Sequence, residues 1–233
     1  MNLFYCPDIL ETRAVLSAEE SAHCIRVLRM RLGDSLNLID GKGHLYEGII
    51  EEPDPSKCRV TITRKEIMPP QRKSKLHIAI APTKSIDRFE WFVEKAIEIG
   101  IDEITPVICQ RSERRSIKTD RLDRLVISTM KQAKVFHKPE IHMPISFPGF
   151  IALQVNYASK IIAHCNESEK YDIKRILYPE KNITVLIGPE GDFTPDEIKC
   201  ATDAGFIPAD LGQNRLRTET AGILVCSAFN FIN

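Results

Sequence analysis

Residues 182–197, NITVLIGPEGDFTPDE, decide how the C-terminal part of this chain folds. The near-continuous apolar run ITVLI marks a strand covered on both faces, as in a parallel sheet, rather than an alternating surface strand. Gly188, Pro189 and Gly191 stop the strand. Thr194-Pro195-Asp196-Glu197 then supplies a helix start, with a threonine cap, proline at the first helical position and the glutamate of a capping box. Gly205 closes that helix. A second strand–loop–helix layout follows at LGQNRLRTETAG (211–222), and its loop carries two arginines, two threonines and a glutamate where one cap would suffice.

Working outward, LHIAIAP (76–82), EITPVIC (103–109) and KIIAHC (160–165) read as further buried strands. Between them lie a helix that Gly100 closes after Ile99 and a long basic helix from about Thr119 to Phe136. Strands alternating with helices predict an α/β domain with a mainly parallel sheet. The first 67 residues have a different period. SLNLID (35–40), LYEGIIEE (45–52) and CRVTITRKEI (58–67) alternate around Gly, Pro and Asp turns, which predicts a small antiparallel barrel. A helix interrupts it, opened by the capping box Ser17/Glu20 and running to Gly33. MPPQRKSK (68–75) reads as a linker whose basic residues build no core. The domains are therefore 1–70, a small β-barrel, and 71–233, the α/β domain.

No apolar run approaches the roughly 20 residues needed to cross a bilayer, and the acidic N-terminus lacks the basic region of a signal peptide. Seven scattered cysteines and six histidines show no metal-ligand or disulfide spacing, so no metal site is expected and a reducing cytoplasm suits them. Net charge is zero, but residues 111–138 carry nine Lys/Arg against three acids. That band is either a solvated helix face or a phosphate-contacting surface.

Loops beyond the C-terminal ends of parallel strands are where such sheets bind ligands. Gly188, Gly191 and Gly212 let backbone approach a ligand. Neither a P-loop nor a G-x-G-x-x-G fingerprint is present, which disfavours a nucleotide triphosphate or a Rossmann dinucleotide. A neutral purine edge suits such loops better.

IGPEGDFTPDEI followed by LGQNRLRTETA resembles the paired C-terminal motifs of the RsmE-type ribosomal RNA uridine-N3 methyltransferases of the SPOUT superfamily. HCIRVLRMRLGDSLNLIDGKG (23–43) resembles that family's PUA-like first domain, and residues 84–116 resemble its first SPOUT helix and following strand. The resemblance implies a PUA-like β-barrel ahead of a SPOUT-type α/β domain with a C-terminal trefoil knot that binds S-adenosylmethionine. It also implies a homodimer acting on 16S ribosomal RNA, within the small ribosomal subunit. Matched motif by motif, Leu186, Gly188, Pro189, Glu190 and Gly191 line one side of the cofactor loop; Leu211, Gly212, Leu216 and Thr218 line the other. Arg217, Glu219 and Arg114 fall on the catalytic motifs. Arg26, Arg29, Arg31, Lys131 and Lys134 are the candidate RNA contacts. The sequence departs from the family pattern at Asp192 (usually glycine), at Arg215 (usually apolar) and at Ala133-Lys134-Val135.

Methylation at uracil N3 requires loss of a weakly acidic proton and moves negative charge onto O2 and O4. Arg217 suits stabilisation of that charge. Glu219 is either a proton acceptor or a carboxylate that orients Arg217 or caps the last helix. Thr218 and Thr220 are alternative caps. Two rivals stand: ribose 2′-O-methylation with the same cofactor loops, and a non-catalytic RNA-binding protein, which intact glycines in both loops disfavour.

Overall fold

The computed structural model describes residues 2–10, 12–153 and 158–233. The chain divides into two compact units, Met1–Gln71 with Ile127–Lys138, and Arg72–Val126 with Pro139–Asn233.

In the first unit the alternating runs become strands: β1 (Leu3–Tyr5), β2 (Ile9–Leu10), β3 (Arg13–Val15), β4 (Ser35–Ile39), β5 (His44–Glu52) and β6 (Arg59–Ile67). Leu36, Leu38, Tyr46, Ile50 and Val60 point inward with Phe4 and Leu16 to form its core. The strand order is β1-β4-β5-β6-β3-β2. The expected antiparallel barrel is instead a mixed sheet, because β1 runs parallel to β4. The helix is also shorter than its periodicity predicted. Ser17 Oγ accepts from Glu20 N at 3.2 Å and caps α1 (Ala18–Ala22). Only this half of the capping box forms, because the Glu20 carboxylate turns instead to Lys131 Nζ at 2.5 Å. Past Ala22 the helix widens into a π-turn over His23–Val27, with Leu28 N donating to His23 O. The backbone then turns left-handed at Arg29 (φ +57°), which ends the element well before Gly33.

The second unit contains β7 (Leu76–Ile80), α2 (Ile86–Ile99), β8 (Glu103–Ile108), α3 (Thr119–Ala133), β9 (Glu140–Ile141), β10 (Ile145–Ser146), α4 (Phe147–Ala152), β11 (Ser159–Ala163), β12 (Tyr171–Asp172), α5 (Ile173–Ile176), β13 (Ile183–Ile187), α6 (Pro195–Asp203), β14 (Ile207–Asp210) and α7 (Thr218–Ile232). Its described strands pair in parallel, in the order β10-β8-β7-β13-β11-β14-β12. Every residue of β7 and β13 is buried, as continuous apolar runs require. Gly100 ends α2 with φ +111°, and the Thr194/Glu197 box caps α6 in both directions. The basic helix stops three residues short of Phe136, at Ala133, where Lys134 turns to φ +55°. Its segment from Ile127 belongs to the first unit.

Two packing features have no signal in the periodicity. Arg72, assigned above to a polar linker, is nearly buried: it bonds Asp102 at 2.6 Å and lies 5.1 Å from the Phe229 ring centroid. The chain is held there by charge and ring rather than by aliphatic core. Helices α2 and α7 meet at Gly222, where an added Cβ would stand 2.4 Å from Phe92 Cε2. Phe92 is fully buried and has no room to yield. Gly222→Ala is therefore expected to destabilise the protein by about 1–3 kcal/mol, the usual cost of overpacking. Urea unfolding reads this; a midpoint equal to that of the parent would contradict the helix contact.

Candidate active site

The C-terminal ends of β11, β13 and β14 open into a cavity of about 620 Å³, within the range of small-molecule sites. Both glycine loops line it: Gly188, Pro189 and Glu190 from one, and Leu211, Gly212, Leu216, Arg217 and Thr218 from the other. Leu186 lies beneath, in the core. Gly191 lies outside the wall, packed against Arg111, whose Cβ would be 3.2 Å from an added Cβ.

Side-chain bonds to backbone tie the two loops together. Thr218 Oγ1 donates to Gly188 O at 3.0 Å in a buried position, and Arg215 Nη2 donates to Glu190 O at 3.3 Å. Thr218 is thus a brace between loops and not the cap of α7; the cap position falls on Arg217, which makes no side-chain cap. The Glu190 carboxylate accepts from Lys84 N at 2.9 Å. Arg114 holds the same segment, donating to Thr83 O at 3.1 Å and to Lys84 O at 2.8 Å. Arg114 does not line the cavity; it is a clamp on the loop after β7. Thr218→Val keeps the shape but leaves the buried Gly188 carbonyl short of a partner, at a cost of about 1–3 kcal/mol. Thermal unfolding of the variant is expected to show that loss, and an unaltered melting curve would remove the brace.

The glycines differ in what they do. Gly212 has φ +126° and open space where a Cβ would stand, so the site needs its backbone angle. A Cβ on Gly188 would meet the Phe193 ring at 3.0 Å. That glycine makes room for a buried aromatic as well as for the cavity. Asp192, where the resembled family has glycine, adopts φ +61°. Aspartate tolerates this region, and its carboxylate fixes the turn by accepting from Phe193 N, Cys165 N and Asn166 Nδ2, each at 2.9 Å.

Arg217 is exposed at the cavity, and among the described residues its guanidinium has no hydrogen-bond or ion-pair partner. Glu219 is 7% exposed in the first turn of α7, outside the wall, with an oxygen 3.9 Å from Arg88 Nε. The last residue of β11, Ala163, and His164, Cys165 and Lys170 after it form a part of the wall that the motifs did not reveal. The run KIIAHC was legible as a strand, but nothing in its local pattern shows that its last two residues leave the sheet at a site. His164 is 6% exposed, and burial, followed by the nearby Lys170 ammonium, pushes its imidazole below the ordinary histidine range.

Some cations of the basic band have partners within their own unit. Arg111 bonds Gly191 O at 3.0 Å, Arg121 pairs with Glu90 at 2.5 Å and Lys131 pairs with Glu20. Lys134 is exposed, as are Arg26, Arg29 and Arg31 in the first unit. At the other end of the parallel sheet, His77, Glu103 and His142 bring ligand atoms within 4.8 Å of one another, a long-range grouping that local spacing does not show. Both His77 nitrogens meet threonine hydroxyls, Thr105 at 2.7 Å and Thr184 at 3.3 Å. Burial pushes that imidazole down to about 4.

A parallel sheet with a glycine-loop cavity, joined to a small mixed-sheet module, defines the class. The RNA methyltransferase domain model matches residues 70–230, and the RNA methyltransferase PUA domain model matches residues 16–63. The ribosomal RNA small subunit methyltransferase E of Rickettsia conorii is 32% identical, covering 89% of this chain and 85% of the relative. The crystal structure of a probable rRNA-methyltransferase from Porphyromonas gingivalis is 40% identical with a TM-score of 0.91, covering 100% of this chain and 98% of that one. The Neisseria gonorrhoeae ribosomal RNA small subunit methyltransferase E, solved bound to S-adenosyl methionine, is 26% identical with a TM-score of 0.85, covering 99% and 97%. The chain belongs to the ribosomal RNA small subunit methyltransferase E family.

Proposed function

We propose that this protein transfers a methyl group from S-adenosylmethionine to N3 of a uridine in 16S ribosomal RNA. The observation that carries the reading is the cavity between two braced glycine loops at the ends of β13 and β14. Its volume and the unobstructed Gly212 fit a nucleoside-sized cofactor. Gly188, Pro189, Leu211, Gly212 and Leu216 would hold it. Bound there, S-adenosylmethionine supplies an electrophilic methyl on a sulfonium.

The chain's residues do the rest. Uridine N3 gives up its proton to solvent at the open mouth and gains the methyl, and the donor sulfur keeps the electron pair as a neutral thioether. Negative charge moves onto O2 and O4 as the proton leaves, and the unpartnered Arg217 guanidinium is the donor placed to meet it. Glu219 holds the first turn of α7 with Arg88 rather than taking the proton, because it stands outside the cavity wall. Arg114 positions the Lys84–Glu190 contact from behind.

Three further features belong to the proposal. The C-terminal segment forms a trefoil knot; its support is the strand order, in which the chain passes from β13 across β11 to β14, while α7 packs back on β7 and β13. The protein is a homodimer, supported by exposed Trp91, Leu224 and Phe231 on the paired helices α2 and α7. It works in the cytoplasm on the small ribosomal subunit; no described helix is long and apolar enough to cross a membrane.

Incubation with small-subunit RNA and the methyl donor, followed by digestion to nucleosides, tests the reaction. The expected product carries the methyl on the uracil base. A methyl on ribose would establish 2′-O transfer instead, and no incorporation would remove the enzymatic reading.

A further inference from the structure

His164 stands at the end of β11 in the cavity wall, and both its ring nitrogens are buried without a partner among the described residues. The two charged groups near enough to serve it are engaged elsewhere. Both Asp192 oxygens are occupied, by Phe193 N on one side and by Cys165 N and Asn166 Nδ2 on the other. Lys170 Nζ donates to the His164 main-chain oxygen at 3.3 Å, not to the ring. A neutral imidazole has one N–H to donate and one nitrogen to accept, and sealing both from water carries the full desolvation penalty. His77 is the contrast, a buried imidazole with threonine hydroxyls at both nitrogens. At His164 no described group takes either nitrogen, and the residue lines the cavity.

We infer that His164 is a ligand-binding residue of this cavity, whose imidazole pairs with the nucleoside part of the bound methyl donor after a small swing toward the space it lines. The inference rests on the proposed S-adenosylmethionine site. It carries a consequence that a structural histidine would not have: the protein without ligand bears the cost of the orphaned ring, and binding relieves it.

The test uses the full chain, wild type and two variants, with calorimetric titration of S-adenosylmethionine and thermal unfolding without ligand. His164→Leu fills similar space with no polar atom. It is expected to melt no lower than wild type while binding at least tenfold more weakly. His164→Asn, which restores a donor and an acceptor near the first ring position, is expected to recover part of the affinity. A His164→Leu protein that binds as tightly as wild type overturns the inference. So does one that melts well below wild type, because the ring would then be a structural element. Wild-type protein that does not bind S-adenosylmethionine at all overturns the cofactor site itself, which is a separate failure.

Discussion

Replacing Arg217 by alanine is expected to lower kcat by roughly a hundredfold or more, the scale seen when one donor to a developing oxyanion is removed. The KM for the methyl donor should change little, because the interaction strengthens only as charge leaves N3 for O2 and O4. The structure sharpens this expectation. Arg217 sits at the cavity with no intramolecular partner among the described residues. Truncating it therefore strands no buried carboxylate, and the fold should survive. Arg215, two residues earlier, is the contrast, since its guanidinium braces Glu190 O. Its loss should appear in loop stability and cofactor affinity before it appears in kcat. Lysine at 217 should rescue only in part, because an ammonium lacks the planar two-pronged donor geometry. Steady-state kinetics on both substrates decides the matter. An Arg217→Ala enzyme with unaltered kcat, or one in which only the RNA KM rises, would move this residue from the reaction to substrate docking.

What the sequence discloses here follows from how local each signal is. The ITVLI strand, the Thr194/Glu197 box and the Gly100 stop depend on neighbours a few residues away, and all three form as read. The parallel sheet follows from the alternation of such units. The first unit was harder. Short β1 and its parallel pairing to β4 depend on partners more than 30 residues apart, and no periodicity encodes them. Site residues divide the same way. Glycines and the Arg-Thr loop were legible because they interrupt regular elements. The roles within the loop were not, because Thr218 meets Gly188 O across 30 residues and Arg114 meets Lys84 O across 30 residues. The partners within the basic band are hidden for a related reason: counting charges on a helix cannot show that Glu90 pairs with Arg121 or Glu20 with Lys131. His164 was invisible altogether, since a lone histidine at a strand end has no distinguishing pattern.

The second large effect concerns the candidate RNA contacts of the first unit. Arg26, Arg29 and Arg31 are all exposed on or just beyond the π-turn, and none of their guanidiniums has a described partner. The left-handed backbone at Arg29 is what turns the chain out of the helix there. Changing all three to alanine is expected to weaken RNA binding by roughly a hundredfold at low salt, about 1 kcal/mol for each phosphate contact. The dependence of log affinity on log salt should also become shallower by about two to three, since each lost contact releases fewer counterions. Affinity for S-adenosylmethionine should not move. Deleting residues 1–70 is a poorer test than these point variants. Residues 127–138 belong to the same unit, with Lys131 on Glu20 and Gly43 N bonded to Phe136 O. Removing the sheet would leave half of α3 without its partners and confound loss of contacts with loss of folding. Lys134→Ala, on the same unit but alone, should cost no more than one contact. If the triple variant bound RNA as the parent does, with an unchanged salt slope, the first unit would not be the phosphate-binding surface. Exposed cations of the band outside that unit, Lys118 and Arg124 among them, would then be the next to test.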